Sequence, residues 1–148
     1  MPTPLALALG DPAGIGPEIV AKSWERRAAL GLPPFFAVGD CSAIEAVWRG
    51  PIAAISDPAE AEECFRDALP VVQVGGGSSI TPGAPDLDGA RTALDALEIA
   101  VGLTRSGAAS GLVTGPVSKY QLHAIGFVHP GQTEFVAERC GVSTEMAA

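Results

Sequence analysis

The sequence predicts an α/β fold, a mainly parallel sheet flanked by helices. Three observations carry the prediction. Short apolar runs of strand length alternate along the chain with longer helix-like segments. Those runs are continuously apolar, as strands covered on both faces should be. Several of them break into turn chemistry, Gly10-Asp-Pro, Gly39-Asp and Thr114-Gly-Pro, before helix-like sequence resumes. Such strand-to-helix turns are where an open α/β sheet builds its ligand sites.

The elements follow in order. Pro4–Leu9 is an apolar run ending at Gly10-Asp-Pro, a buried strand. Pro17–Leu30 reads as a helix, with Pro17 tolerated in its first turn and Gly31 as its stop. Pro34–Val38 is the next strand, followed by a short helix over Ser42–Trp48 and a weaker strand at Pro51–Ile55. Asp57-Pro58 opens an acidic helical stretch to Ala68. Leu69–Val74 is a strand that gives way to a Gly-, Ser- and Pro-rich surface loop over 75–85. Asp86–Arg105 is the longest helical pattern, its apolar face carried by Leu87, Ala90, Leu94, Leu97, Val101 and Thr104. Ser110–Thr114 is a strand and Pro116–Ile125 a helix stopped by Gly126. A last helix runs from Thr133, its N-cap, to Cys140, with Gly141 as its stop.

Composition bounds the function. The 148 residues suffice for one domain with a real core, 47% hydrophobic but only 5% aromatic, so the core relies on Ala, Val, Leu and Ile. A net charge of −8 argues against nucleic acid or an anionic membrane as partner, while leaving room for a local cationic pocket. Cys41, Cys64 and Cys140 are widely spaced and read as buried, reduced thiols. With no leader-like start and no apolar run long enough to span a bilayer, the expected location is cytoplasmic.

Three segments could carry chemistry. In Gly10-Asp-Pro-Ala-Gly-Ile-Gly-Pro-Glu18 the glycine spacing is neither the dinucleotide fingerprint nor a P-loop. Gly14 and Gly16 would let backbone N–H groups approach a ligand at the helix start, or serve only a tight turn. Asp11 is the side chain expected to face the site, for a hydroxyl, ribose, metal or capping role. In Thr114-Gly-Pro-Val-Ser-Lys119, Lys119 falls one turn into the expected helix and can reach back toward an anion, or is simply solvated. In Gly131-Gln-Thr-Glu-Phe135, Gln132, Thr133 and the free N–H groups of a first turn suit an anion, or form only a capped helix. His123 and His129 lack the spacing of a Zn pair, and no metal site is expected within the chain.

Together these segments resemble the 4-hydroxythreonine-4-phosphate dehydrogenases of vitamin B6 biosynthesis. Residues 10–16 match that family's Gly-(Asp or Glu)-Pro-Ala-Gly-Ile-Gly opening, and 114–119 match its Thr-Gly-Pro-x-x-Lys. Residues 131–135 match its Gly-His-Thr-Glu-Phe, except that Gln132 stands where His is usual. The resemblance implies a fold like that of isocitrate and isopropylmalate dehydrogenases, incomplete at the C-terminal side. Residues 1–148 would be one α/β unit, the N-terminal portion of the enzyme. It implies NAD-dependent oxidation of 4-phosphohydroxy-L-threonine to a 3-oxo acid that decarboxylates to 3-amino-2-oxopropyl phosphate. It also implies a homodimer, substrate contacts from Gln132 and Thr133, and a divalent metal whose ligands lie beyond residue 148. Glu145–Ala148 falls where the family continues into another strand. The 148 residues alone are then expected to bind metal poorly and not to turn over. Two other readings stand beside this one: a dehydrogenase of a phosphorylated sugar acid, which the Gln132 departure could signal, and a non-catalytic module that binds a phosphorylated metabolite or assembles with another chain.

Overall fold

A computed structural model describes residues 3–76 and 79–142. Gly77 and Ser78 of the expected loop, and the continuation expected at Glu145–Ala148, lie outside the described residues. Five strands form one parallel sheet: β1 (Leu5–Ala8), β2 (Phe35–Gly39), β3 (Ile52–Ala54), β4 (Leu69–Gln73) and β5 (Leu112–Thr114), in the order β3-β4-β2-β1-β5. From β1 the chain fills one side of the sheet and then crosses back to place β5 on the other. The topological switch point therefore lies between β1 and β5, where open α/β sheets bind ligands.

Helices cover both faces. Against one lie α1 (Gly16–Glu25), α2 (Cys41–Glu45) and α3 (Ala61–Phe65), the last preceded by a 3₁₀ turn at Pro58–Glu60. Their Val20, Trp24, Ile44 and Phe65 share a cluster with Phe35, Ala37, Leu69 and Val71 of the sheet. On the other face, α4 (Leu87–Arg105), α5 (Lys119–Ala124) and α6 (Gln132–Cys140) cover Ala6, Ala8, Phe36 and Val38. Alternate residues of the same strands thus enter opposite cores, which is why the strands read as unbroken apolar runs.

Local chemistry explains where the observed elements depart from the expected ones. The first helix stops at Glu25 rather than Leu30. Arg27 folds back to give its Nη1 to Trp24 O (2.7 Å) and stacks on the Trp24 ring, and Gly31 turns the chain at φ +61. α4 begins where expected because the Asp86 carboxylate accepts the Gly89 N–H (2.7 Å). Its buried face, however, is an alanine stripe, Ala90, Ala93, Ala96 and Ala100, flanked by Leu97 and Val101, while Leu87 is exposed. Small side chains let a helix approach the sheet closely, and a reading that follows large apolar residues misses them.

The second helix is shorter than Ser42–Trp48, and the acidic stretch is split between the 3₁₀ turn and α3. The cysteines are free thiols but not buried: Cys41 and Cys64 are half-buried and Cys140 is exposed. Among the described residues, no helix is long and apolar enough to cross a membrane.

Candidate functional site

The turn after β1 is locked to the turn after β5 by backbone contacts. Asp11 N–H donates to Pro116 O (2.9 Å) and Gly115 N–H to Ala8 O (2.8 Å). Gly10 has φ +77, and a Cβ there would lie 2.2 Å from Pro116 O. A Cβ on Gly16 would lie 1.9 Å from Leu9 O. These glycines admit neighbouring backbone rather than a ligand, a plainer role than the phosphate-cradling one open from sequence. Gly14 is less tightly held, its nearest neighbour being Asp11 O, which accepts its N–H (2.9 Å).

Asp11 is almost wholly inside the protein, 3% exposed. Its Oδ1 accepts the Ala13 N–H (2.9 Å), an Asx turn that shapes the segment, while its Oδ2 is buried without a partner. Burial pushes its pKa above the usual carboxylate range; the Ala13 N–H pulls against the rise and the negative charge of Asp86 adds to it.

The second half of the site gathers at the starts of α5 and α6. Pro116 does not begin a helix. Ser118 is the N-cap of α5, its hydroxyl accepting from Gln121 N–H, so Lys119 is the first helical residue and not one turn in. The Lys119 ammonium lies against Gly131, 3.9 Å from where a Cβ on that glycine would stand. Gly131 is the N-cap of α6 and has no side chain to cap it, so Thr133 sits inside the first turn instead of capping it. The first-turn N–H groups of α6 therefore have no intrahelical acceptor and no side-chain cap.

Gln132 donates its Nε2 to Gly115 O (3.1 Å), tying α6 to the turn after β5. A cavity of ≈ 200 Å³ lies between Leu112, Thr114, Gln132, Thr133 and Val136. The start of α6 offers free N–H groups suited to a small anion, with Thr133 lining the cavity and Lys119 Nζ and Glu134 Oε1 at 3.9 and 3.7 Å from the same point on Gly131. Asp11 N–H and Gln132 Nε2 thus bond to the consecutive carbonyls of Pro116 and Gly115, and Thr114 and Thr133 share the cavity beside Gln132, while Lys119 stands apart against Gly131.

Long-range partners that sequence reasoning missed brace α6. His129 Nε2 meets Glu138 Oε2 at 2.6 Å, and the Arg139 guanidinium engages both oxygens of Glu98 on α4 while stacking on Phe135. The bond from Arg139 lowers the pKa of Glu98, and those from His129 and then Arg139 lower that of Glu138. The i,i+41 and i,i+9 spacings of these pairs leave no periodic signal.

Among the described residues no three His, Cys, Asp or Glu side chains are placed to hold a metal ion. The described residues therefore do not by themselves form a metal site, and no step is assigned through a metal or NAD.

Comparison with known proteins agrees with this architecture. Residues 33–148 match the family described as pyridoxal phosphate biosynthetic protein PdxA. The 4-hydroxythreonine-4-phosphate dehydrogenase of Zymomonas mobilis is 54% identical over 97% of this chain and 43% of its own length. That of Erythrobacter litoralis is 46% identical over 94% of this chain and 43% of its own. The solved structure of a 4-hydroxythreonine-4-phosphate dehydrogenase from Burkholderia phymatum superposes with a TM-score of 0.84 at 25% identity, over 97% of this chain and 45% of that one. The enzyme of that name from Klebsiella pneumoniae gives 0.79 at 28% identity, over 92% and 44%. The chain thus spans less than half the length of the relatives it matches. From residue 33 onward by direct match, and across the whole parallel sheet by superposition, it belongs to the PdxA family of pyridoxal phosphate biosynthetic proteins.

Proposed function

We propose that this chain provides the phosphate-binding part of an NAD-dependent 4-hydroxythreonine-4-phosphate dehydrogenase in pyridoxal phosphate biosynthesis. The observation that carries the reading is the uncapped start of α6, with the Lys119 ammonium set against its N-cap Gly131 and Thr133 in its first turn. A phosphate monoester there accepts hydrogen bonds from the first-turn N–H groups and the Thr133 hydroxyl, and Lys119 balances its charge. Gln132 uses one N–H to hold the turn and keeps a second N–H and its carbonyl oxygen for the substrate.

The overall reaction proposed for the whole enzyme is NAD-dependent oxidation of the C3 carbinol of 4-phosphohydroxy-L-threonine, and the residues described here take no part in the hydride step. The 3-oxo acid then releases carbon dioxide to leave 3-amino-2-oxopropyl phosphate. The assigned role of these residues is to bind and orient the phosphate end. The homodimer belongs to the same proposal, as do a divalent metal and the surfaces that hold NAD.

Calorimetric titration of the 148-residue chain with inorganic phosphate tests the binding role. Saturable binding that weakens about tenfold in Lys119→Ala is expected; no binding, or binding indifferent to Lys119, defeats it. The whole reaction is tested by NADH formation from 4-phosphohydroxy-L-threonine, which the 148-residue chain alone is expected not to show. Turnover of a phosphorylated sugar acid instead, or binding without NAD reduction in a protein of the relatives' full length, would replace the dehydrogenase assignment.

A further inference from the structure

The phosphate reading leaves the imidazole of His129 without a role. We propose that His129, acting through Glu138, is a positioning residue for the anion-binding start of α6. This rests on the phosphate assignment at α6.

The start of α6 is weakly held by its own backbone. Its N-cap is Gly131, the residue type with the most conformational freedom, and no side chain caps the turn. The first intrahelical bond, from Phe135 N–H to Gly131 O, is long at 3.4 Å. Anion binding needs the first-turn N–H groups to point at one place, so their direction must be set from outside that turn.

His129 stands two residues before the N-cap and is tied on both sides. His123 Nε2 of α5 donates to His129 O (3.1 Å), which fixes its backbone. Its ring packs against Phe127 and Phe135, at 5.2 and 5.4 Å between centroids. Its Nε2 donates to Glu138 Oε2 (2.6 Å) on the second turn of α6. An ionised carboxylate only accepts, so Nε2 carries the hydrogen in either charge state of the ring. The other oxygen of Glu138 accepts from Arg139 Nη1 (3.3 Å), and Arg139 in turn holds Glu98 of α4. One chain of bonds thus runs from α5 to α4 and fixes the segment entering α6 against the body of that helix.

The unmatched nitrogen separates this role from packing. The His129 side chain is only 15% exposed, and its Nδ1 is buried with no hydrogen-bond partner. An unpaired buried polar atom is destabilising, and a phenyl ring would fill the same space without one. Packing alone therefore favours Phe at 129. What the imidazole adds is the Nε2 donor to Glu138. That carboxylate is 62% exposed, and exposed ion pairs add little stability, so the bond acts on geometry.

Calorimetric titration of the 148-residue chain with inorganic phosphate tests the proposal. His129→Phe keeps the packing and removes the donor. Phosphate affinity should fall about fivefold with no drop in melting temperature. His129→Gln returns an N–H to the place of Nε2 and should recover most of the loss. Glu138→Ala should match His129→Phe, and the double variant should lose no more than either alone. In the phosphate-free chain, the amide NMR signals of Gln132 and Thr133 should move in His129→Phe and return in His129→Gln.

Unchanged affinity in His129→Phe overturns the proposal while sparing the phosphate assignment. Losses that add in the double variant overturn it too, as does a loss that His129→Gln leaves uncorrected. Should His129→Phe fail to fold, Glu138→Ala at its exposed site decides in the same way. A parent chain that binds no phosphate defeats the phosphate assignment, and the proposal falls with it.

Discussion

The turn after β1 and the segment joining α5 to α6 sit side by side at the switch point, but they are held in different ways. The first is interlocked backbone. Gly10 and Gly16 pass within contact of Pro116 O and Leu9 O, and Asp11 is sealed beneath. The second hangs on side chains: Gln132 on Gly115 O, Lys119 against Gly131, His129 on Glu138, and Arg139 on Glu98. The contrast separates a part of the site that must be right for the sheet to form from a part that can vary while the sheet survives. A change of side chain at 132 would alter one hydrogen bond to Gly115 O, whereas any side chain at 16 would meet Leu9 O.

The sharpest way to break the comparison is Gly16→Ala. The new methyl group would overlap Leu9 O, and rearranging a buried turn should cost on the order of 4 kcal/mol. A urea melt displaced by less than about 1 kcal/mol would mean that the turn is as adaptable as its neighbour. Next comes Lys119→Ala. Its expected stability change is within about 0.5 kcal/mol, while phosphate affinity falls about tenfold. Loss of stability without loss of affinity would reverse the roles given to the two regions.

Gln132→His sharpens the comparison further. The imidazole can donate to Gly115 O as the amide does, so phosphate affinity should be similar or improved. It should also acquire a pH dependence, weakening as the pH rises through about 6.5. In a protein of the relatives' full length, turnover of 4-phosphohydroxy-L-threonine should likewise be retained; its abolition would show that Gln132 serves another substrate.

The smallest effect is one of sign. Asp11 has a raised folded-state pKa, so its contribution to stability is full below about pH 3.9 and is lost as the pH rises through the raised value. Glu98 has a lowered pKa, so its contribution is present above about pH 4.3 and is lost as the pH falls through the lowered value. Urea melts between about pH 3 and pH 7 should therefore show Asp11→Asn gaining on the parent protein as the pH rises and Glu98→Gln falling behind it. Parallel pH profiles for the two variants would defeat the assignment.

Much of this architecture is legible in the sequence, and the exceptions share a cause. Strands announce themselves because apolar runs end in Gly, Asp and Pro, and every expected strand is present to within two residues at either end. Helix boundaries fail where a side chain decides them. Arg27 ends α1 by turning back on Trp24, Ser118 delays α5 past Pro116, and α6 starts from a bare Gly131 instead of Thr133. The candidate residues were visible as motifs, but their mutual arrangement was not. Nothing local in the chain says that Asp86 will stand beside Asp11, or that Gln132 will spend an N–H on Gly115.

The placement of the indoles has a practical consequence. The chain has two tryptophans and one tyrosine. Trp24 and Trp48 meet edge to face at 5.7 Å on the α1 side of the sheet, and Trp24 Nε1 donates to Phe65 O. Tyr120, 81% exposed, follows Lys119 on the opposite side. Indole emission and the near-ultraviolet dichroism of the coupled pair will therefore report melting of the α1–α3 layer while remaining nearly silent to an occupant at α6. An optical titration of ligand should be read from the lone phenol instead, or from an indole introduced beside it.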